Sequence, residues 1–463
     1  MTTSEKELYF GRAYINSKWE NGVRIKTSDQ GLITKVELNS DRVKTDEVYG
    51  TGIPGIPNIH SHSFQRVMAG LSEYKLSQGD DFWTWRELMY RYANQISPAN
   101  LSAIATQLYI EMVKSGYTGV AEFHYIHRKK GGLHYDNPAT LSESIIEAAK
   151  TAGINLTLLP VSYMYSGFGQ EPLSSEQMRF GNDVENYLEL LQLVSKSTSI
   201  YENTNLGMAF HSLRALSPEA MNEILSEFNR SWPTSPIHIH IAEQTKEVND
   251  CLAWCGKRPV EWLLQNHEVD DRWCLVHATH LTSSEINSLA KSGAIAGLCP
   301  TTEANLGDGF FPLKQFLDAG GHIAIGSDSN SSVSPVEEMR WLEYGQRLVT
   351  QSRNVVASEG ALHTGSSLFD NCTIGGAKAL GQKTGVIKEG YQADILVLDD
   401  NAPNFSSTPS EFALDTFIFN GNRNLISDVM VSGQWQVKNY KHINEEYAEE
   451  QFKKTLSLIR RGS

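Results

Sequence analysis

The segment 56–64, IPNIHSHSF, decides how this chain folds. An apolar run ends there in His60 and His62, one residue apart. Alternate residues of a strand face the same way, so both imidazoles address one place. Three later apolar runs end in the same manner: PIHIHIAEQ (236–244) in His240 and Glu243, WCLVHATH (273–280) in His277, and IAIGSDSN (323–330) in Asp328. Working outward, strand-like runs fall at 56–61, 118–124, 154–160, 206–211, 236–241, 273–277, 294–298 and 322–327. Helical patterns lie between them at 98–115, 141–152, 218–229, 284–292 and 335–350, several opened by a serine followed by proline, a sound helix start. Strand–helix units repeated over 55–385 predict an α/β fold of the (β/α)8 barrel type. An open doubly wound sheet is the rival, disfavoured because no glycine-rich phosphate loop follows the first strand.

The flanks 1–54 and 386–463 alternate apolar and polar residues between turn residues. They predict a small β-sandwich built from both chain ends, with a terminal helix at 443–461. Asp394, in QADILVLD, reads as a structural turn residue there.

Bulk composition excludes several function classes. Formal net charge is −14 with no dense Lys/Arg run, which argues against a nucleic-acid or anionic-membrane partner. No apolar stretch approaches the roughly 18 residues of a membrane span. The start, MTTSEKELYFGRAYI, lacks the apolar core of a signal peptide, so the expected location is cytoplasmic. Five cysteines without a CxxC pair predict neither a disulfide framework nor a thiolate zinc site, and Cys251 and Cys255 read as packed helix residues.

In a barrel of this kind active sites sit at the C-terminal ends of the strands. His60, His62, His240, Glu243, His277 and Asp328 all fall at or just past such ends. Three imidazoles and a carboxylate are ordinary ligands for one divalent ion, zinc or alternatively iron(II). His60, His62, His240 and Asp328 are the expected metal ligands, with His238 a layer deeper in the barrel. Such an ion activates water, which points to hydrolysis. Asp328 can also accept a proton from that water. Glu243, three past His240, is the expected general acid/base, and His277 the group that steadies the tetrahedral intermediate.

The order HxH, HxxE, H, D resembles the amidohydrolase superfamily in its mononuclear deaminase branch, and the resemblance covers most of the chain. The stretches NIHSHSFQRVMAGL, DDFWTWRELMY, AEFHYIH, HSLRAL, HIHIAEQ, CPTTEANLGDG and GSDSN narrow it. Together they are similar to the family that hydrolyses the formimino group of N-formimino-L-glutamate, in histidine degradation, to formyl and ammonia. That resemblance implies a small-molecule substrate with two carboxylates and a homodimer. It implies that Arg86 and Arg214 bind the carboxylates, as planar bidentate guanidiniums can. Gln65, Tyr125 and His211 become further hydrogen-bonding partners of the substrate. A bridged metal pair in such barrels uses a carboxylated lysine, and neither NLTLLPVSYMY nor LGMAFHSLRA contains lysine, so a single metal is expected. The segment carrying Trp83, Trp85 and Arg86 is expected to fold over the mouth as a lid. No role is assigned to Thr301, Thr302 or Glu303. The alternatives are a deaminase of an aromatic heterocycle such as guanine or an adenosine derivative, and a metal-free binding scaffold.

Overall fold

The computed structural model describes residues 5–75 and 82–461. Residues 1–4 and 462–463 of the flanking segments, and Asp80 and Asp81 of the tryptophan-rich motif, lie outside the described residues.

Eight parallel strands line up in chain order: Ile56–Ser61, Tyr117–His124, Asn155–Ser162, Met208–Phe210, Ile237–Ile241, Trp273–His277, Ile295–Leu298 and His322–Ile325. They are the barrel that the periodic apolar runs predict. The fourth strand is shorter than expected. It breaks at Gly207, and the piece before the break, Thr204–Leu206, pairs separately with the third strand. The barrel closes between its eighth and first strands just beyond their regular ladders. Asp328 N–H donates to the His60 carbonyl at 2.9 Å, and His62 N–H donates to the Asp328 carbonyl at 3.0 Å. The seam can close because residue 326 is glycine: a Cβ there would stand 2.8 Å from the Cβ of His60.

The serine–proline starts form as expected. Ser97, Ser217 and Ser334 each accept a hydrogen bond from the backbone N–H of the third residue of their helices, Pro98–Ser115, Pro218–Ser231 and Pro335–Thr350. The helix Thr364–Leu380 carries its C-terminal end under the barrel. Its Leu380 carbonyl accepts from Thr157 Oγ1, and its Ala379 carbonyl lies 2.8 Å from His238 Nε2. His238 thus occupies the deeper layer expected of it.

Both chain ends contribute to one mixed sheet whose strand order runs Lys441–His442, Gln434–Lys438, Ile426–Val431, Ile395–Leu398, Glu47–Pro54, Lys6–Ile15, Lys18–Thr27 and Ile33–Glu37. The sheet curls back on itself, with Ile33 N–H donating to the Tyr391 carbonyl, and encloses its own apolar core around Phe10, Ile25, Ile395 and Met430. Asp394 joins this sheet to the barrel, accepting from Thr384 Oγ1, Ser432 N–H and Asn155 Nδ2. The terminal helix Glu445–Arg461 leaves the sheet and packs on the barrel helix Pro98–Ser115. Among the described residues no helix is long and apolar enough to cross a membrane.

Candidate active site

At the C-terminal mouth of the barrel, four side chains converge from three strand ends. His60 Nε2 lies 3.2 Å from His62 Nε2, 2.8 Å from His240 Nε2 and 3.4 Å from Asp328 Oδ1, and His62 Nε2 lies 3.2 Å from the same oxygen. All four residues are buried. One proton can bridge only one pair of imidazole nitrogens, so three that face each other need a different partner. Ligands of a four-coordinate ion with bonds of about 2.0–2.1 Å stand at separations of this order. His62 Nδ1 lies 2.9 Å from the Phe123 carbonyl, which fixes the tautomer that turns Nε2 inward. These donors fit a single divalent cation. Asp328 has φ +46°, a left-handed conformation costly for a non-glycine residue and held here by the seam. Burial opposes ionisation of Asp328, yet hydrogen bonds from His60 and His62 hold its carboxyl well below the usual range. Burial likewise keeps His60 and His240 neutral, the form that donates a lone pair.

A latch of polar residues holds the first and eighth strands in register, and the sequence reading missed it. Asn58 Nδ2 donates to Ser327 Oγ at 2.7 Å, while Asn330 Nδ2 donates to the His62 and Asp328 carbonyls. The available signal was polar residues flanking the ligands within otherwise apolar runs.

Glu243 and His277 face this centre from the fifth and sixth strands. His277 Nε2 lies 3.8 Å from Glu243 Oε1 and 3.7 Å from Asp328 Oδ2. Burial raises the Glu243 carboxyl to about 7, partly offset by His277. Burial would lower His277, but Glu243, Glu303 and Asp328 together hold it well above its ordinary value. Glu303 is the larger omission of the sequence reading. Its Oε1 lies 3.2 Å from His277 Nδ1 and also accepts the Cys299 N–H at 2.9 Å. It therefore directs His277 Nε2 at the centre. Glu247 does the same for the strand-5 end, accepting the backbone N–H groups of Ala242 and Glu243, both at 3.1 Å.

The centre opens into a cleft. His62, His240, Glu243, His277 and Asp328 line one end; Gln65, Arg86, Tyr125, His211 and Arg214 line the rest. The structure thus brings every site residue read from the sequence, except the deeper His60, to the lining of one cleft. Gln65 Nε2 donates to Tyr125 Oη at 2.9 Å, leaving Gln65 Oε1 buried without a partner. His211 Nδ1 lies 3.1 Å from Ser212 Oγ. Arg86 sits on the helix Phe82–Ala93, which also lines the cleft with Trp85, Met89 and Tyr90. Its guanidinium lies 4.4 Å from the Trp83 ring centre; that of Arg214 lies 6.0 Å from the same ring, and Lys246 Nζ 5.3 Å. Arg214 is buried and 3.8 Å from Glu247, and its Nε lacks a hydrogen-bond partner. A buried donor left unpaired is costly, so this end of the cleft suits an anionic group.

The barrel and this donor set fit a divalent cation at the strand ends, and the chain belongs to the amidohydrolase family of hydrolases, whose signature matches residues 51–436. Among individual relatives, the formimidoylglutamate deiminase of Pseudomonas aeruginosa is 47% identical over 452 residues, 98% of this chain and 99% of that protein. The crystal structure of an amidohydrolase from Brucella melitensis is 42% identical and superposes with a TM-score of 0.93, covering 98% of this chain and 99% of that one. The 5-methylthioadenosine/S-adenosylhomocysteine deaminase of Pyrococcus horikoshii is 27% identical over 416 residues, 87% of each chain.

Proposed function

We propose that this chain hydrolyses N-formimino-L-glutamate to N-formyl-L-glutamate and ammonia. The observation that carries the reading is the pairing, in one cleft, of the histidine–aspartate centre with Arg86 and Arg214. A substrate with an amidine-like head and two carboxylates uses both ends of that cleft. A purine base carries no carboxylate for either guanidinium to bind. The identity to a formimidoylglutamate deiminase supports the same substrate.

His60, His62, His240 and Asp328 would hold one divalent ion, zinc, with iron(II) as its competitor. Such an ion supplies Lewis acidity, polarising the imino group and making water a stronger acid. The chain's own residues do the rest. Arg214 and Arg86 bind the carboxylates as charge-assisted hydrogen-bond donors and fix the formimino carbon at the mouth of the centre. Asp328 Oδ2 and the Glu243 carboxylate accept protons as water attacks that carbon. Both protons pass to the imino nitrogen, the first from Glu243 as the tetrahedral carbon forms and the second from Asp328 as that carbon collapses to the formyl group, so that the nitrogen leaves as ammonia. A carboxyl near pH 7 is suited to both transfers. His277, aimed by Glu303, donates from Nε2 to the developing tetrahedral oxygen. The same reading gives the enzyme a place in histidine degradation, a homodimeric state and a cytoplasmic location.

The deciding experiment is ammonia release by the metal-loaded protein from N-formimino-L-glutamate, with guanine and adenosine in parallel. Release from the first compound is expected. Turnover of a purine alone would replace the reading with that of a heterocycle deaminase.

A further inference from the structure

We propose that Glu243, His277 and Asp308 form a second divalent-cation site, beside the histidine–aspartate centre, whose occupation inhibits the enzyme. One ligand atom from each of the three residues lies within 4.8 Å of the other two, and all three residues are buried. None of the three belongs to the ligand set His60, His62, His240 and Asp328.

Two separate observations point to a cation there. The first is Asp308. It is 5% exposed; its Oδ1 accepts from Gln244 Nε2, and its Oδ2 has no hydrogen-bond partner. A buried carboxylate oxygen without a donor is an energetic cost that a proton or a metal ion removes. Burial and the neighbouring Glu243 raise the Asp308 carboxyl to about 10, the same cost expressed as proton affinity. The second is the orientation of His277. Its Nδ1 side faces the buried Glu303 carboxylate at 3.2 Å, which turns Nε2 to the space between Glu243 and Asp328, 3.8 and 3.7 Å away. A carboxylate behind an imidazole is the usual support of a metal-ligating histidine. Asp328 Oδ2, at 3.7 Å from His277 Nε2, looks to the same side while Oδ1 faces His60 and His62, so one carboxylate borders both positions.

Two carboxylates and an imidazole suit zinc and similar ions. The set lacks a third imidazole, and its groups must first give up protons, so it binds more weakly than the neighbouring centre. Occupation immobilises Glu243 and His277, the two groups assigned to proton transfer. The inhibitory consequence rests on that assignment; the binding does not.

The test uses holoenzyme carrying one equivalent of zinc, titrated with further zinc by calorimetry or equilibrium dialysis, beside Asp308→Asn. Asparagine can keep the contact with Gln244 while removing the charge. Wild type is expected to take up one weaker equivalent per chain. Asp308→Asn should bind it at least about tenfold more weakly, the low end of what even an outer-shell partner contributes to metal affinity. Activity on whichever substrate the enzyme turns over should fall in wild type with the same concentration dependence. Asp308→Asn should keep its basal rate and lose the inhibition. If no further zinc binds, or if both proteins bind it equally, the site is overturned. If zinc binds as expected without inhibition, the cation site stands, and the inhibitory role and the assignment of Glu243 fall together.

Discussion

The two ends of the cleft are built differently. The histidine–aspartate end hangs on strand termini whose positions are set by backbone hydrogen bonds across the barrel, including the Asp328–His60 and His62–Asp328 bonds of the seam. The arginine end hangs on connecting segments. Arg214 follows the shortened fourth strand in the turn Leu213–Ala215, and Arg86 rides on the helix Phe82–Ala93. Side-chain contacts to Trp83 and Glu247 hold these cations. On the proposed reading, chemistry sits on the strand ends and recognition on the connecting segments, the part of the fold that tolerates change.

The largest expected effect tests the rigid end. Glu243→Gln should lower kcat by about 10²–10⁴-fold while metal content stays near one per chain, because it removes proton transfer and no ligand. Steady-state kinetics with metal analysis check this; a rate within a few-fold of wild type would remove Glu243 from the reaction. Next comes the other end. Arg214→Met should reduce kcat/KM by about 10–10³-fold, as expected when a buried charged hydrogen bond worth about 1.5–3 kcal/mol or more is lost. Metal content should stay unchanged, and the acid limb set by Glu243 should move up slightly, because the Arg214 charge lowers that carboxyl. An unaffected kcat/KM would break the division of labour between the two ends.

A smaller effect probes what aims the chemistry. Glu303→Ala should cut kcat by about 10–100-fold with little change in KM, the scale of outer-shell partners in such sites. Glu303→Gln, which can still accept from His277 Nδ1, should recover part of that loss. If both variants match wild type, His277 is oriented by other contacts. The smallest effect is a displacement along the pH axis. Glu243 must be a carboxylate to accept a proton, so kcat/KM should rise with pH as it ionises. Burial puts that ionisation near 7, and a bound cation pulls it lower. The acid limb should therefore lie at or below pH 7 and vanish in Glu243→Gln. A limb well above 7 would assign it to another group.

Much of the rigid end was legible in advance. His60, His62, His240, Glu243, His277 and Asp328 stand in runs whose period and termination are local properties, and a barrel turns strand ends into one site. His238 fell where the two-residue period puts it. The break at Gly207 was not legible, since it depends on close packing against Leu159 and Pro236 from neighbouring strands. Glu303 was equally hidden. It lies on the short helix Pro300–Leu306 after the seventh strand, and nothing in TTEAN says that its carboxylate turns back toward His277.

The sequence by itself determined which residue types lie at the ends of which strands, because side-chain alternation and apolar periodicity are properties of neighbours along the chain. That two arginines accompany them came from the resemblance of the motifs, not from spacing or periodicity. Only the tertiary structure decided that Asn58, Ser327 and Asn330 lock the seam, that Glu303 and Glu247 aim the reacting groups, and that Asp308 is buried with an unpaired oxygen beside Glu243. Those relations join residues far apart in the chain, and their energies depend on burial and on donors and acceptors that no single segment contains.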